Sequence, residues 1–382
     1  MIEHAAFRRL AWISVGLCLI VIVVGAYVRL SDAGLGCPDW PGCYGHITWP
    51  HKEGDVAVAN AAFPERAVEI HKAGKEMLHR FLAGGLGVVI LVLAWMGTAG
   101  SKIGRRAVAL SVLMTLAAIA LDRFDWHLVA MCAAALAIAA PIFAALSMNA
   151  SRARRVALAT LGLVIFQAML GMWTVTLQLK PIVVTAHLLG GLSTGGLLLW
   201  AALHARPIRA LRVSRLWVVS AIVLLSMQIF LGGWTSTNYA ALSCPDFPTC
   251  VGQWLPDGGF GEGFILFREI GVNYEGGILD AAARAAIHWT HRAGAVVVLL
   301  ILGGLGIRLL AADADRRLGI ALLLLLGTQI GLGIANVYLR LPLSVATLHN
   351  AFAALLLGCS LIVLARALAD RRNTWNAGAN MA

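Results

Sequence analysis

Four histidines, His79, His187, His291 and His349, each stand inside a long apolar run. An ionisable side chain in such a run is costly to place in lipid and by default marks a functional site. The four come in two matched pairs. His79-Arg80 recurs 212 residues on as His291-Arg292, and Thr185-Ala-His187 recurs 162 residues on as Thr347-Leu-His349. Each lies within about six residues of the same end of its run, roughly 9 Å at helical rise, so all four share a depth. One buried histidine is readily satisfied by a neighbouring carbonyl; four that are paired and level are much harder to explain that way. Two neutral imidazoles facing each other across a helical bundle suit the axial positions of heme iron. Zinc or copper would call for further Cys, Asp or His ligands, and none stands beside His187 or His349.

Other chemistry-bearing residues cluster near these histidines. Glu76 precedes His79 by about one helical turn, so both can face one site, and an acid there can handle protons. The matching place in the second half holds His288, not a carboxylate. Arg80 and Arg292 suit heme propionates, or equally a snorkelling role at the interface. Gly84, Gly85, Gly190, Gly191 and Gly195 would allow a flat macrocycle to approach, or serve ordinary helix packing. Cys37, Cys43, Cys244 and Cys250 form two Cys-x5-Cys pairs in Pro-containing loops. An oxidising exterior favours disulfides there over free thiols or metal ligation; a redox role for the first pair is left open. Cys18, Cys132 and Cys359 lie in apolar runs and read as small apolar residues.

The elements that must carry these residues are membrane spans. The 382 residues are 60% hydrophobic and 13% charged, against about a quarter charged in soluble chains. Ten runs approach the roughly 20 apolar residues a bilayer requires. They fall near 10–30, 76–98, 107–121, 128–147, 156–176, 183–203, 217–236, 285–309, 318–337 and 344–367, the short 107–121 being the weakest. Leu10–Tyr27 is long for a signal-peptide core and lacks a clear cleavage site, so it reads as a retained helix. A cytoplasmic N-terminus places 18 of the 30 basic residues inside with only 4 of the 19 acids, Glu3, Asp313, Asp315 and Asp370. The net charge of +11 thus reports orientation by the positive-inside pattern rather than a nucleic-acid partner. The expected home is a bacterial cytoplasmic (inner) membrane, with both termini cytoplasmic and long loops 31–75 and 237–284 outside.

The chain also repeats. Cys37-Pro-Asp-Trp-Pro-Gly-Cys43 recurs as Cys244-Pro-Asp-Phe-Pro-Thr-Cys250. Gln167-x-x-Leu-Gly171 recurs as Gln329-x-x-Leu-Gly333, in the same order relative to the histidines. The expected fold is an all-α polytopic membrane protein of two parallel four-helix-bundle repeats, residues 1–210 and 211–382. The first carries an inserted helical hairpin at about 104–150, with no residue assigned to chemistry and a peripheral or partner-facing role. Two extra spans preserve orientation, which is what makes the repeats parallel.

With these residues in view, the chain resembles the heme A synthase family. The resemblance rests on Val28-Arg-Leu-Ser-Asp-Ala-Gly-Leu-Gly-Cys37-Pro-Asp-Trp-Pro41, on Glu76-Met-Leu-His79-Arg80, and on the Thr-x-His and His-Arg elements of both halves. It covers nearly the whole chain; the hairpin departs from the family's eight spans. The resemblance implies a membrane heme-dependent oxidoreductase that oxidises the C8 methyl of heme O, by successive hydroxylations, to the formyl group of heme A. It also implies a second, b-type heme acting as cofactor in the other half. Because only the first half keeps a carboxylate one turn from a histidine, substrate heme is expected between His79 and His187 with Glu76 as acid-base group, and the cofactor heme b between His291 and His349. Heme O, an electron donor and membrane lipid are the implied partners. Contact with heme O synthase and self-association into a homo-oligomer stay open. Two rivals share parts of the pattern: a diheme b-type protein passing quinol electrons, and a repeat-built transporter without heme.

Overall fold

The structure, a computed structural model, describes residues 2–311 and 315–369. Asp313, Asp370, Arg371 and Arg372, four of the charges in the orientation argument, lie outside the described residues. Among those described there are twelve helices and no strand. The first half holds α1 (Ile2–Leu30), α2 (Glu53–Ala62), α3 (Ile70–Gly97), α4 (Lys102–Arg123), α5 (His127–Ser147), α6 (Arg152–Thr176) and α7 (Pro181–His204). The second holds α8 (Arg215–Thr237), α9 (Phe260–Gly263), α10 (Ala281–Leu310), α11 (Arg316–Tyr338) and α12 (Leu343–Leu368). Ten of the twelve, all but α2 and α9, are long and apolar enough to cross a membrane. The chain is therefore a multi-pass membrane protein.

The ends of these helices follow from local sequence. Asp280 caps α10 by accepting the N–H of Ala283 at 2.7 Å, and Ser101 caps α4 by accepting that of Gly104 at 3.0 Å. Pro181 opens α7 at a position where its missing N–H costs nothing. α3 and α10 begin at Ile70 and Ala281, ahead of the expected 76 and 285. Residues such as Lys72 and Arg284 project the first turns beyond the apolar stretch. The stretch 107–121, too short on its own, belongs to the longer α4, whose first turns add Lys102, Arg105 and Arg106.

Packing sorts the long helices into two rings. α1, α3, α6 and α7 close one ring, each touching the next, and α8, α10, α11 and α12 close another. Each ring has its own apolar core, around Ile90, Leu93, Leu161 and Leu198 in the first and Leu302, Leu305, Leu322 and Leu356 in the second. α7 and α12 join the rings through contacts with each other, with α8 and with α1. The hairpin α4–α5 packs on α6, and α4 also touches α3.

The two long loops fold over one end of the rings. Cys37–Cys43 and Cys244–Cys250 are disulfides in them, and each loop closes an isolated bridge from the second cysteine of its pair, Cys43 to His46 and Cys250 to Gln253. Arg66 of the first loop pairs with Glu275 of the second at 2.9 Å, tying the loops together. Cys18 and Cys359 are buried free thiols, and Cys132 is an exposed one on α5.

Candidate functional site

Each of the four histidines leans on a glycine of a neighbouring helix. A Cβ on Gly25 of α1 would stand 2.8 Å from Cε1 of His79, and one on Gly171 of α6 would stand 3.1 Å from Cε1 of His187. The second ring repeats this: Gly232 of α8 would meet His291 at 3.1 Å, and Gly333 of α11 would meet His349 at 3.2 Å. The missing side chain is what lets the Cε1 edge of the imidazole come up against the next helix. His79 and His187 sit on α3 and α7, which are diagonal in their ring and do not touch; α10 and α12, carrying His291 and His349, are diagonal in theirs.

The space between the diagonal helices is a cavity of about 1980 Å³ lined by all four histidines. A small-molecule site typically has 300–1,000 Å³, so there is room for more than one large ligand. Among the described residues no group of three or more His, Cys, Asp or Glu could hold a metal by itself. The donor set therefore suits a metal that brings its other ligands with it, as heme iron does. Glu76, Arg80, His288 and Arg292 line the same cavity.

Glutamines hold three of the rings. Gln167 Nε2 lies 3.1 Å from His187 Nδ1 and donates to the His187 carbonyl at 2.6 Å. Gln228 does the same for His291, at 3.0 Å and 2.8 Å. Gln329 reaches the ring of His349 at 3.3 Å, by way of Nε2. The sequence showed Gln167 and Gln329 as repeat markers but suggested no role for them. The signal was present: Gln-x-x-Leu-Gly occurs three times, at Gln167, Gln228 and Gln329, and its glycine is each time the one behind a histidine.

Glu76 and the arginines make contacts that the sequence did not foretell. Glu76, only 4% exposed, accepts the backbone N–H of Cys37 on Oε2 at 3.0 Å and pairs with Arg80 through Oε1. Arg80 Nη1 also donates to the carbonyls of Asp39, Pro41 and Gly42 at 3.0, 3.2 and 2.6 Å. In the second half His288 Nδ1 lies 3.2 Å from Cys244 N and its Nε2 lies 3.2 Å from Arg292 Nε, and the neutral ring accepts from one of the two at a time. Arg292 donates to the carbonyls of Asp246, Thr249 and Cys244 at 2.7, 2.9 and 2.6 Å. Both halves thus fasten a disulfide loop to the histidine helix, with a carboxylate in one latch and an imidazole in the other.

The glycines singled out from sequence divide. Gly84 and Gly85 face open space, whereas Gly190 sits under Gln167, and Gly195 packs near Cys18 and Ile22. The hairpin is more than peripheral: Ser111, Thr115 and Met131 wall the cavity on its α3–α6 side.

The profile of the COX15-CtaA family, cytochrome oxidase assembly protein, matches residues 8–132 and 126–361. A protein named heme A synthase from Shewanella oneidensis is 39% identical over 346 residues, covering 89% of this chain and 90% of its own. Two further proteins of that name, from a Chelativorans species and from Rhizorhabdus wittichii, are 26% and 22% identical, each over about nine-tenths of both chains. With the match running almost end to end, the chain belongs to the COX15-CtaA family of cytochrome oxidase assembly proteins.

Proposed function

We propose that this protein is a heme A synthase, an enzyme that oxidises the C8 methyl of heme O to a formyl group. The observation that carries the reading is the set of four glycine-backed histidines around one large cavity, in a chain whose relatives bear that name. Bound heme would supply the redox-active iron of each ring and, in the first, the methyl group to be oxidised. His79 and His187 would hold the substrate heme; His291 and His349 would hold a heme b that relays electrons. Gln167 and Gln228 would keep their imidazoles from turning. Glu76, the buried carboxylate one helical turn from His79, would give and take protons at the first heme, with Arg80 holding it in place. Arg80 and Arg292 bring positive charge to the rim of the cavity, where propionates would meet it.

The units of this proposal are residues 1–210 and 211–382, as parallel repeats. The protein would sit in a bacterial cytoplasmic membrane with both termini inside and the disulfide loops outside. Its partners would be heme O, the heme O synthase that supplies it, an electron donor and, in a homo-oligomer, further copies of itself. The test is turnover by the purified full-length chain, given heme O, a reductant and air. Hydroxylated heme O followed by heme A is the expected product series. Heme O recovered unchanged, from protein whose heme spectrum is intact, would favour a diheme electron carrier instead.

A further inference from the structure

Three of the four cavity histidines are held by a glutamine, and His79 is not. The glutamine always stands one helical turn before the glycine behind the ring: Gln167 before Gly171, Gln228 before Gly232, Gln329 before Gly333. Before Gly25 the residue at that place is Val21. Val21 and Gln228 are separated by the same 207 residues as Gly25 and Gly232, and as Cys37 and Cys244. They are the same position in two matching helices.

The difference is matched on the helix that carries the histidine. Three residues after His291 comes Gly294, where a Cβ would stand 2.2 Å from Gln228 Oε1; three after His187 comes Gly190, where one would stand 2.1 Å from Gln167 Oε1. These amides fit only because no side chain is there. Three residues after His79 comes Leu82. The first site therefore lacks both the amide and the space for it, and His79 Nδ1 is buried without a hydrogen-bond partner. His349 is intermediate. Phe352 stands at the third place and Nδ1 is again unpartnered, but Gln329 Nε2 lies 3.3 Å from the ring's other nitrogen, Nε2, a glutamine contact that His79 lacks.

A ligating histidine usually has its second nitrogen held, which fixes the ring; losing that partner typically costs about 10–100-fold in metal affinity. We propose, resting on the reading that His79 and His187 hold the heme to be oxidised, that His79 is the exchangeable ligand of the four. Val21 and Leu82 are the positioning residues that leave it so. His187, gripped at its ring and its carbonyl by Gln167, is the fixed ligand opposite. His79 would then be the ligand to leave, on the α3 side where Glu76 lies, while His291, gripped by Gln228, and His349, met by Gln329, would both stay. A closed pair suits electron relay, and an opened one admits a small molecule to the iron.

Carbon monoxide is the probe, because it binds reduced heme only where an axial ligand has left. In the reduced full-length protein the first-half heme is expected to react and the second-half heme is not; the His349→Ala chain tells the two apart. Val21→Gln with Leu82→Gly rebuilds the second-half arrangement and is expected to slow carbon monoxide binding at the first heme by about 10–100-fold. Gln228→Val makes the reciprocal change and is expected to render the second heme reactive. An inert second heme in Gln228→Val overturns the proposal on its own, even where the double variant fails to fold. So does a folded double variant that reacts as the native chain does, or a native chain whose second heme is the reactive one. The readout is separate from turnover. A chain with the expected carbon monoxide pattern and no heme A product would contradict the proposed function and leave this inference standing.

Discussion

Glu76 receives the backbone N–H of Cys37 on Oε2 at 3.0 Å, which ties the lining of the cavity directly to the first disulfide loop. His288 makes the same tie to Cys244. The latch is thus common to both halves, and only its chemistry differs. Glu76→Gln keeps the shape and an oxygen for Cys37 N–H, so the loop and bound heme should persist. Heme A formation should fall by about 10²–10⁴-fold, the usual worth of a positioned acid-base group. Quantifying extracted hemes checks this: near-normal heme A contradicts the proton role, and loss of all heme makes Glu76 structural.

His291→Ala and His349→Ala should each remove the stable b-type signal from the purified protein. Each deletes one imidazole of the pair backed by Gly232 and Gly333. A native spectrum in both variants would contradict the assignment. The substrate pair should respond differently, with His187→Ala abolishing product while the b-type spectrum remains.

Arg292 donates to three carbonyls of the second disulfide loop. Bonds to a charged donor are worth roughly 1.5–3 kcal/mol each in favourable cases. Arg292→Ala should lower thermal stability by at least one such bond and expose the backbone of residues 244–253 to hydrogen exchange. Unaltered exchange there, with an altered heme spectrum, would instead assign Arg292 to the heme itself.

Asp246 holds the same loop. It accepts from the Thr249 hydroxyl, from Gly252 N at 3.0 Å and from Val251 N at 2.6 Å. The Thr249 hydroxyl and then the two N–H groups favour the ionised carboxylate and bring its pKa from 3.8 down to about 2. A depressed folded pKa means the support is complete above the unfolded value and is lost as pH falls through the folded one. Exchange protection at Val251 and Gly252 should therefore decline between about pH 4 and pH 2. Asp246→Asn should show low protection with no such decline. A native loop equally protected across that window would refute the contribution.

Much of this was legible in the sequence because it depends on single residue types at fixed offsets. The ten spans, both cysteine pairs and the four histidines each announce themselves by apolar length or by repetition. What stayed hidden depends on three-dimensional neighbours. Glycines such as Gly25 and Gly232 look like ordinary packing residues until a ring from another helix lies against them. Arg80 and Arg292 look like free positive charge until the loop carbonyls that engage them are seen. The hairpin seemed peripheral because nothing in its Ala-rich sequence shows that Ser111 and Thr115 face the cavity.

The central claim is that heme O becomes heme A at the His79–His187 pair. It is tested most directly by extracting hemes from cells that make heme O, with and without this chain, and with His187→Ala. The account predicts heme A only with the native chain, and heme O alone in the other two. Heme A made equally well by the His187→Ala chain, or heme O unchanged beside abundant native protein, would contradict it.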